Sequence, residues 1–223
     1  MRRITTLAWL LFLLAQVSAA EPATLEVVYV ESEDRACAKS RGYDVKDEWI
    51  KELNQVLPNF RDLWNAKGPA MFTAVTTLTH RSIDPHVEPV RLTLCDTPSQ
   101  SSSGPSVNMR FALHSFTTSP VPLRYKIDVA FHESLHRFVA EYTPRNSQLL
   151  TSHHSESTCV LNHLHLLALQ KAVLLSLGDA TSLEQVVSID SQLPSDCYKR
   201  AWSLVNETDS TYKQYVAELA KEA

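Results

Sequence analysis

Several segments of the N-terminal half alternate between apolar and polar residues in the way that strands do. Residues 25–30 and 90–94 place apolar side chains at every second position, and this period of two predicts a strand in each. Residues 71–78 are rich in threonine and valine, which also favours extended structure. The alternation is clearest over residues 107–114. This pattern predicts a strand with one packed face and one face towards water or a ligand.

Three longer segments repeat their apolar residues at helical spacing instead. Residues 46–64 predict an amphipathic helix that is kinked or broken near Pro58 and ended by Gly68. A single apolar stripe predicts a second helix over residues 123–142. A third helix, from about residue 156 to residue 177, is apolar nearly all round and should be buried. The residues after it are typical of two or three shorter helices.

These elements predict an α+β fold in which a small mixed β-sheet packs on the helix over residues 123–142. We expect one domain over residues 21–223, because its length suits a single core of moderate size. Its upper α+β lobe would cover about residues 24–142, and a mostly helical lower part would cover about residues 143–223.

The first twenty residues have the composition of an export signal. Arg2 and Arg3 precede an apolar run over residues 7–17, which ends in small residues up to Ala20 and is followed by the charged Glu21. This pattern predicts a signal peptide that is cut after Ala20, with an uncleaved anchor as the alternative. We therefore expect a secreted or periplasmic protein that has no stable membrane anchor after cleavage.

Charge and cysteine content narrow the classes of partner and compartment. The formal net charge is −4 and no basic stripe is present, so nucleic acid is not an expected partner. Four cysteines follow the cleavage point, and in an oxidising compartment they predict two disulfides. Of the three pairings we favour Cys37 with Cys95 and Cys159 with Cys197, because each bridge then stays within one half of the chain.

An HExxH motif from His132 to His136 lies within the helix predicted over residues 123–142. Positions four apart share one helix face, so both imidazoles can reach a single ion. Neutral imidazole suits zinc, and the intervening Glu133 can accept a proton from a bound water. The motif therefore predicts one catalytic zinc ion with His132 and His136 as ligands and Glu133 as the general base.

A catalytic zinc ion needs a third protein ligand and an open fourth position. Glu156 is the favoured candidate, because it would begin the next helix and could lie over the HExxH helix. His153 and His154 compete for this role, since they precede Glu156 in the same connection. Glu141 is less suitable, because it points to a different side of the HExxH helix from His136.

Two further residues could support such a site. His163 shares a predicted helix face with Glu156, where it could donate a hydrogen bond to a metal ligand or stabilise an oxyanion, although a hydrogen-bonded core role is the alternative. Asp128 lies one turn before His132 and could orient it, unless it is simply solvated. The second electrophile of a hydrolytic reaction remains open among several eligible side chains: Tyr142, His163, Tyr198, Tyr212 and Tyr215.

The HExxH motif followed by Glu156 resembles the zincin metallopeptidases, specifically the gluzincin branch that includes thermolysin. The predicted order of strand, helix, three strands and HExxH helix is also similar to the upper lobe of a zincin. The resemblance implies a zinc ion held by His132, His136 and Glu156, and a peptide substrate that adds along the strand at residues 107–114. The chain departs from the pattern at Val160, where many gluzincins have an aspartate.

Together, the motif and the resemblance predict an exported zinc metallopeptidase that cleaves peptide or protein substrates with a zinc-activated water. The alternative is a non-catalytic exported module with a zincin-like fold that binds zinc or a protein. A helical structural domain without metal is a third interpretation. Glu133 discriminates between the first two, because holding a metal requires ligands but no general base.

Overall fold

The fold combines a small sheet with a majority of helices. The computed structural model describes residues 25–84 and 88–220, so the predicted signal peptide lies outside the described residues. In chain order the elements are β1 Val27–Tyr29, α1 Glu31–Ser40, α2 Asp47–Thr79, β2 Val90–Thr93, β3 Ser106–Asn108, a 3-10 turn Arg110–Ala112, α3 Leu123–Tyr142, α4 Gln148–Ser152, α5 Thr158–Ser176, α6 Ala180–Asp190, α7 Asp196–Val205 and α8 Thr211–Ala220.

The sheet has three strands in the order β1-β2-β3, and both neighbouring pairs are parallel. Val27 pairs with Val90, and Leu92 pairs with Val107. All four side chains are buried, as the alternating pattern requires. The strands predicted near residues 25–30 and 90–94 are therefore confirmed, but the described sheet is parallel rather than mixed.

The strand predicted at residues 71–78 is wrong, because α2 continues through this segment to Thr79. Its apolar residues Met71, Phe72 and Val75 are buried, and their spacing extends the apolar face of the preceding helix. Tertiary burial thus outweighs the strand preference of threonine and valine. The helix also accommodates Pro58 and a second proline without ending.

Gly68 has a packing role within α2 and does not terminate the helix. A Cβ atom at this position would overlap Cδ1 of Leu25, so any larger residue would displace the Leu25 side chain that packs here. The prediction that Gly68 ends the helix is therefore wrong.

The long strand predicted at residues 107–114 is only three residues long in the structure. Asn108 ends it, since its Oδ1 accepts a hydrogen bond from the backbone N–H of Arg110 at 2.9 Å. The following turn leaves Phe111 62% exposed. The outer edge of β3 is also occupied, because the backbone groups of Gln100 and Ser106 exchange hydrogen bonds of 2.8 and 3.0 Å. A peptide substrate could not add to β3 without displacing this loop.

The helices that carry the motif residues agree with the sequence. α3 has the predicted bounds, α5 ends before Gly178, and three shorter helices follow. α5 packs against α7, α8, α2 and α3. By length and composition it is the one described helix that could cross a membrane, yet 67% of its apolar window is buried within the protein. Its apolarity is that of a central core helix.

Two disulfides join the cysteine pairs that the sequence favoured. Cys37 of α1 is bonded to Cys95, which follows β2, and Cys159 of α5 is bonded to Cys197 of α7. Both pairings are confirmed. They are compatible with an exported protein, because disulfides persist in oxidising compartments. The second bridge also ties α7 to the part of α5 that contains His163.

Candidate metal centre

Two helices bring three imidazole rings together. His132 and His136 lie one turn apart on α3, and His163 of α5 faces them. One ligand nitrogen from each ring lies within 4.8 Å of the others, and the ring centroids are 5.0 to 5.4 Å apart. Nitrogens bound to one tetrahedral zinc ion at ~2.0–2.1 Å are ~3.3 Å apart. Small side-chain rotations would therefore bring all three onto one ion.

The hydrogen bonds of His132 fix which of its nitrogens is free. Nδ1 lies 3.2 Å from Oε1 of Gln170. The amide of Gln170 is oriented by its own Nε2, which donates to the backbone carbonyl of Asp128 at 3.3 Å. Because Oε1 can only accept, Nδ1 carries the proton and Nε2 keeps its lone pair. Among the described residues this buried Nε2 has no hydrogen-bond partner.

His163 is held in a similar way. Its Nδ1 donates a hydrogen bond of 2.7 Å to the backbone carbonyl of Cys159, one turn earlier on α5. The other ring nitrogen is therefore the acceptor, as a metal ligand must be. His136 is more open than the other two rings, and its Nε2 lies 3.7 Å from Oε2 of Glu133.

Burial keeps all three imidazoles neutral at neutral pH. It lowers the pKa of His132 well below its usual value, and the positive charges that His163 and His136 would carry lower it further. Burial and His163 lower the pKa of His136 to about 4, and burial also lowers the pKa of His163. Neutral imidazole is the form that binds a metal ion.

Glu133 is a buried carboxyl group beside the three rings. Burial, with a smaller contribution from the negative charge of Asp190, raises its pKa to about 8. A cation nearby would favour the carboxylate and lower this pKa again. Glu133 can therefore accept and release a proton near neutral pH, which is what a general base requires.

Glu133 lies between two cavities. The larger one, of about 590 Å³, is lined by His132, Glu133 and Tyr198 together with mainly apolar side chains. The smaller one, of about 180 Å³, is lined by Glu133 as well and in part by Arg137 and Tyr142. The acid thus borders two cavities despite its burial.

Tyr198 is the one eligible tyrosine that lies beside the imidazoles in the described structure. Its ring centroid is 4.7 Å from that of His163 and 5.7 Å from that of His132. Burial and the negative charge of Glu133 raise its pKa, so its hydroxyl stays protonated and can donate a hydrogen bond. The sequence could not select Tyr198, because its position depends on the disulfide at the neighbouring Cys197.

Glu156 does not belong to the imidazole group. Its Oε1 accepts hydrogen bonds from Nε and Nη2 of Arg200 at 2.9 and 2.6 Å. It precedes α5, whose N-cap is Ser157, and the connection before it forms the separate short helix α4. The competing His153 and His154 lie at the end of α4 and are not part of the group either. The third side chain that lies close to His132 and His136 is therefore that of His163.

Asp128 supports His132 indirectly. Its fully buried carboxylate binds Arg124 at 3.0 Å and does not reach the ring, and burial raises its pKa to about 7. Only its backbone carbonyl contributes, by orienting Gln170. The sequence missed Gln170, although an amide on an apolar helix two turns after His163 is a usable signal.

The chain matches no protein-family model, no curated protein and no solved structure. The three imidazoles, Glu133 and Tyr198 are therefore the observations on which a function can rest.

Proposed function

We propose that this protein is an exported zinc-dependent metallopeptidase with a zincin-like HExxH helix. Its zinc ligands would be His132, His136 and His163, and Glu133 would be the general base. The observation that carries the proposal is the convergence of three imidazole nitrogens within 4.8 Å of one another beside a buried glutamate. The proposal keeps the predicted motif and replaces Glu156 as the third ligand.

The donor set suits zinc. An unpartnered buried nitrogen such as Nε2 of His132 costs on the order of 1–3 kcal/mol, and binding an ion would offset that cost. Three imidazoles satisfy three positions of a tetrahedral zinc ion and leave the fourth open, which is the arrangement of catalytic rather than structural sites. The outward hydrogen bonds of His132 and His163 to Gln170 and Cys159 hold the rings in the ligating tautomer.

The neighbouring side chains have the properties that hydrolysis requires. A bound zinc ion supplies a Lewis acid that activates water and polarises a carbonyl group. Glu133 accepts a proton from the attacking water and delivers it to the leaving nitrogen. The hydroxyl of Tyr198 donates a hydrogen bond to the oxygen on which negative charge develops.

The two cavities favour a peptide over a small substrate. Because Glu133 lines both, a substrate whose reacting bond lies at Glu133 can extend in both directions. An extended peptide has this shape, and binding energy on either side of the reacting bond helps to position it. Since a loop occupies the edge of β3, the peptide would lie in these cavities and not along the sheet.

The test compares two variants of the protein, Glu133→Gln and Glu156→Gln. Glu133→Gln should retain one zinc ion per chain and lose hydrolysis of a peptide library by roughly 10²–10⁴-fold, because it removes the general base and leaves the ligands. Zinc is measured by elemental analysis, and cleavage by mass spectrometry. The matched control is Glu156→Gln, which should keep both zinc and activity.

The possible outcomes separate the alternatives. Loss of zinc from Glu156→Gln would contradict the ligand set with His163 and favour the gluzincin set. Retained zinc without cleavage in the wild type would favour the non-catalytic zinc-binding module. Wild-type protein purified without chelator that contains no stoichiometric zinc would contradict the proposal as a whole.

A further inference from the structure

The larger cavity beside the imidazoles has a mostly apolar surface, to which one buried cation and three carboxyl groups also contribute. Val121, Val129, Val186 and Ile189 contribute to its wall, and Lys126 lines it as well. Lys126 is only 4% exposed. A lysine buried to this extent is rare unless it is paired, so its partner decides what the cavity can hold.

The protein compensates the charge of Lys126 only in part, and one contribution is the ring of Tyr125, whose centroid lies 5.7 Å from Nζ. Its Nζ donates one hydrogen bond, at 2.7 Å, to the backbone carbonyl of Asn108. An ammonium group has three donors, and in the described structure no carboxylate lies within ion-pair distance of Nζ. Two donors of a buried positive charge are therefore available to a ligand.

Three carboxyl groups line the cavity, of which Asp190 and Asp96 are engaged elsewhere and Glu133 lies 3.7 Å from Nε2 of His136. Asp190 accepts hydrogen bonds from the hydroxyl of Tyr125 at 2.8 Å and from Nε1 of Trp202 at 3.0 Å. Asp96 at the rim is bound by Arg110 at 2.7 Å. Glu133 faces the imidazole group. Asp190 is close enough to interact with Lys126 electrostatically, but it does not supply a direct partner.

The rim of the cavity exposes apolar surface. Phe111 is 62% exposed and Leu193 is 36% exposed, and both line this cavity. Only two other large apolar side chains are comparably exposed in the described part of the chain. Exposed apolar residues around a concavity are typical of a binding site.

From this combination we infer that the cavity binds an apolar group that carries a carboxylate, with Lys126 as the counter-ion. The apolar part would lie against the valine and isoleucine wall and under Phe111, and the carboxylate would accept the two free N–H donors of Lys126. If the protein is the peptidase proposed above, the cavity would take an apolar C-terminal residue of the substrate or an acidic side chain next to the cleaved bond.

The inference is tested by binding, so that it does not depend on hydrolysis. Calorimetry measures the affinity of the wild type and of Lys126→Met for 3-phenylpropanoate and for 3-phenylpropanamide. We expect the wild type to bind the carboxylate roughly tenfold or more tightly than the amide, because a buried charge-assisted hydrogen bond has that effect. In Lys126→Met this preference should disappear.

Two controls keep the result interpretable. Phe111→Ser, on the rim, should weaken both probes about equally and preserve the preference for the carboxylate. Equal binding of acid and amide by the wild type would overturn the inference even if Lys126→Met failed to fold. A preference that persisted in folded Lys126→Met would place the carboxylate elsewhere, for example on the metal, and would also overturn it.

The source of the carboxylate is distinguished with peptides on the active enzyme. One pair differs only in a free or amidated C-terminus after an apolar residue, and another differs only in glutamate or glutamine next to the cleaved bond. If the peptide with the free C-terminus is cleaved faster in the first pair, the cavity binds a C-terminal carboxylate. If the glutamate peptide is cleaved faster in the second pair, the cavity binds an acidic side chain. Binding without cleavage of any peptide would contradict the proposed function and leave the inference standing.

Discussion

His163 and His165 lie two residues apart on α5, and both rings are buried. Nε2 of His165 lies 2.9 Å from Oε2 of Glu218 on α8, and the same carboxylate accepts a hydrogen bond from Ser147. Nε2 of this imidazole therefore has a partner within the protein. His163 instead uses Nδ1 to bind the backbone of Cys159, and its other side faces His132 and His136.

The difference shows how a structural histidine can be distinguished from a candidate ligand. Burial lowers the pKa of both rings, so the pKa alone does not separate them. The partners do, because His165 joins α5 to α8 through a protein carboxylate whereas His163 meets two other acceptor nitrogens. In the proposed function a metal ion is the shared partner of these converging neutral imidazoles.

Replacing each of the two histidines by alanine should give the largest expected effect, a difference in zinc content. His163→Ala should lose its stoichiometric zinc, because only two imidazoles remain to hold the ion. His165→Ala should retain zinc, since it does not contact the group. Elemental analysis of the two purified variants, with circular dichroism to verify folding, measures this directly.

Stability should show the opposite order in the metal-free proteins. His165→Ala removes one of the two side-chain hydrogen-bond partners of the buried carboxylate of Glu218 and leaves a cavity, so the free energy of unfolding, measured in urea, should fall by about 2 kcal/mol. His163→Ala removes a ring that has no side-chain acid partner and should cost less. Zinc retained by His163→Ala, or lost by a folded His165→Ala, would contradict the comparison.

Acid should destabilise the metal-free protein through the imidazole group. The pKa of His136 is lowered to about 4 in the folded state against about 6.5 unfolded. The unfolded chain therefore binds the proton first, and stability is lost as the pH falls from 6.5 to 4. The wild type should lose about 3 kcal/mol more than His136→Gln over this range.

Chemical denaturation with chelator present, repeated between pH 7.5 and 4, measures the effect. The matched control is His154→Gln, an exposed position, which should keep the wild-type pH dependence. If His136→Gln and the wild type lose stability in parallel, the imidazole of His136 is not held neutral by its surroundings.

Much of the fold and two of the three proposed zinc ligands could be predicted from the sequence. The bounds of α3, the positions of His132, Glu133 and His136, and both disulfides follow from periodicity, spacing and pairing within each half. The strand at residues 71–78 could not be excluded, because local threonine and valine content opposes what the core imposes on α2. A local sequence pattern predicts the secondary structure correctly only where tertiary packing favours the same structure.

The third proposed zinc ligand shows a different limit of prediction from sequence. Glu156 was favoured because it is an acid at the start of the next helix, yet Arg200 lies beside it. Arg200 is distant in sequence, and α7 is brought to the start of α5 in part by the disulfide between Cys159 and Cys197. The partner that a carboxylate such as Glu156 meets is thus a property of the tertiary fold.

The smallest expected effect concerns the residue that orients His132. Gln170→Leu removes the acceptor for Nδ1 and frees the ring to rotate or change tautomer, while the ligand nitrogens remain. Zinc affinity, measured by competition with a fluorescent chelator, should fall by roughly 10–100-fold, the usual effect of losing such a partner. The control Asn162→Leu makes a similar polar-to-apolar change at an exposed position of α5 and should leave the affinity unaltered. Equal affinities in Gln170→Leu and the wild type would mean that the ring needs no such orientation, and the contrast between His163 and His165 would then depend on convergence alone.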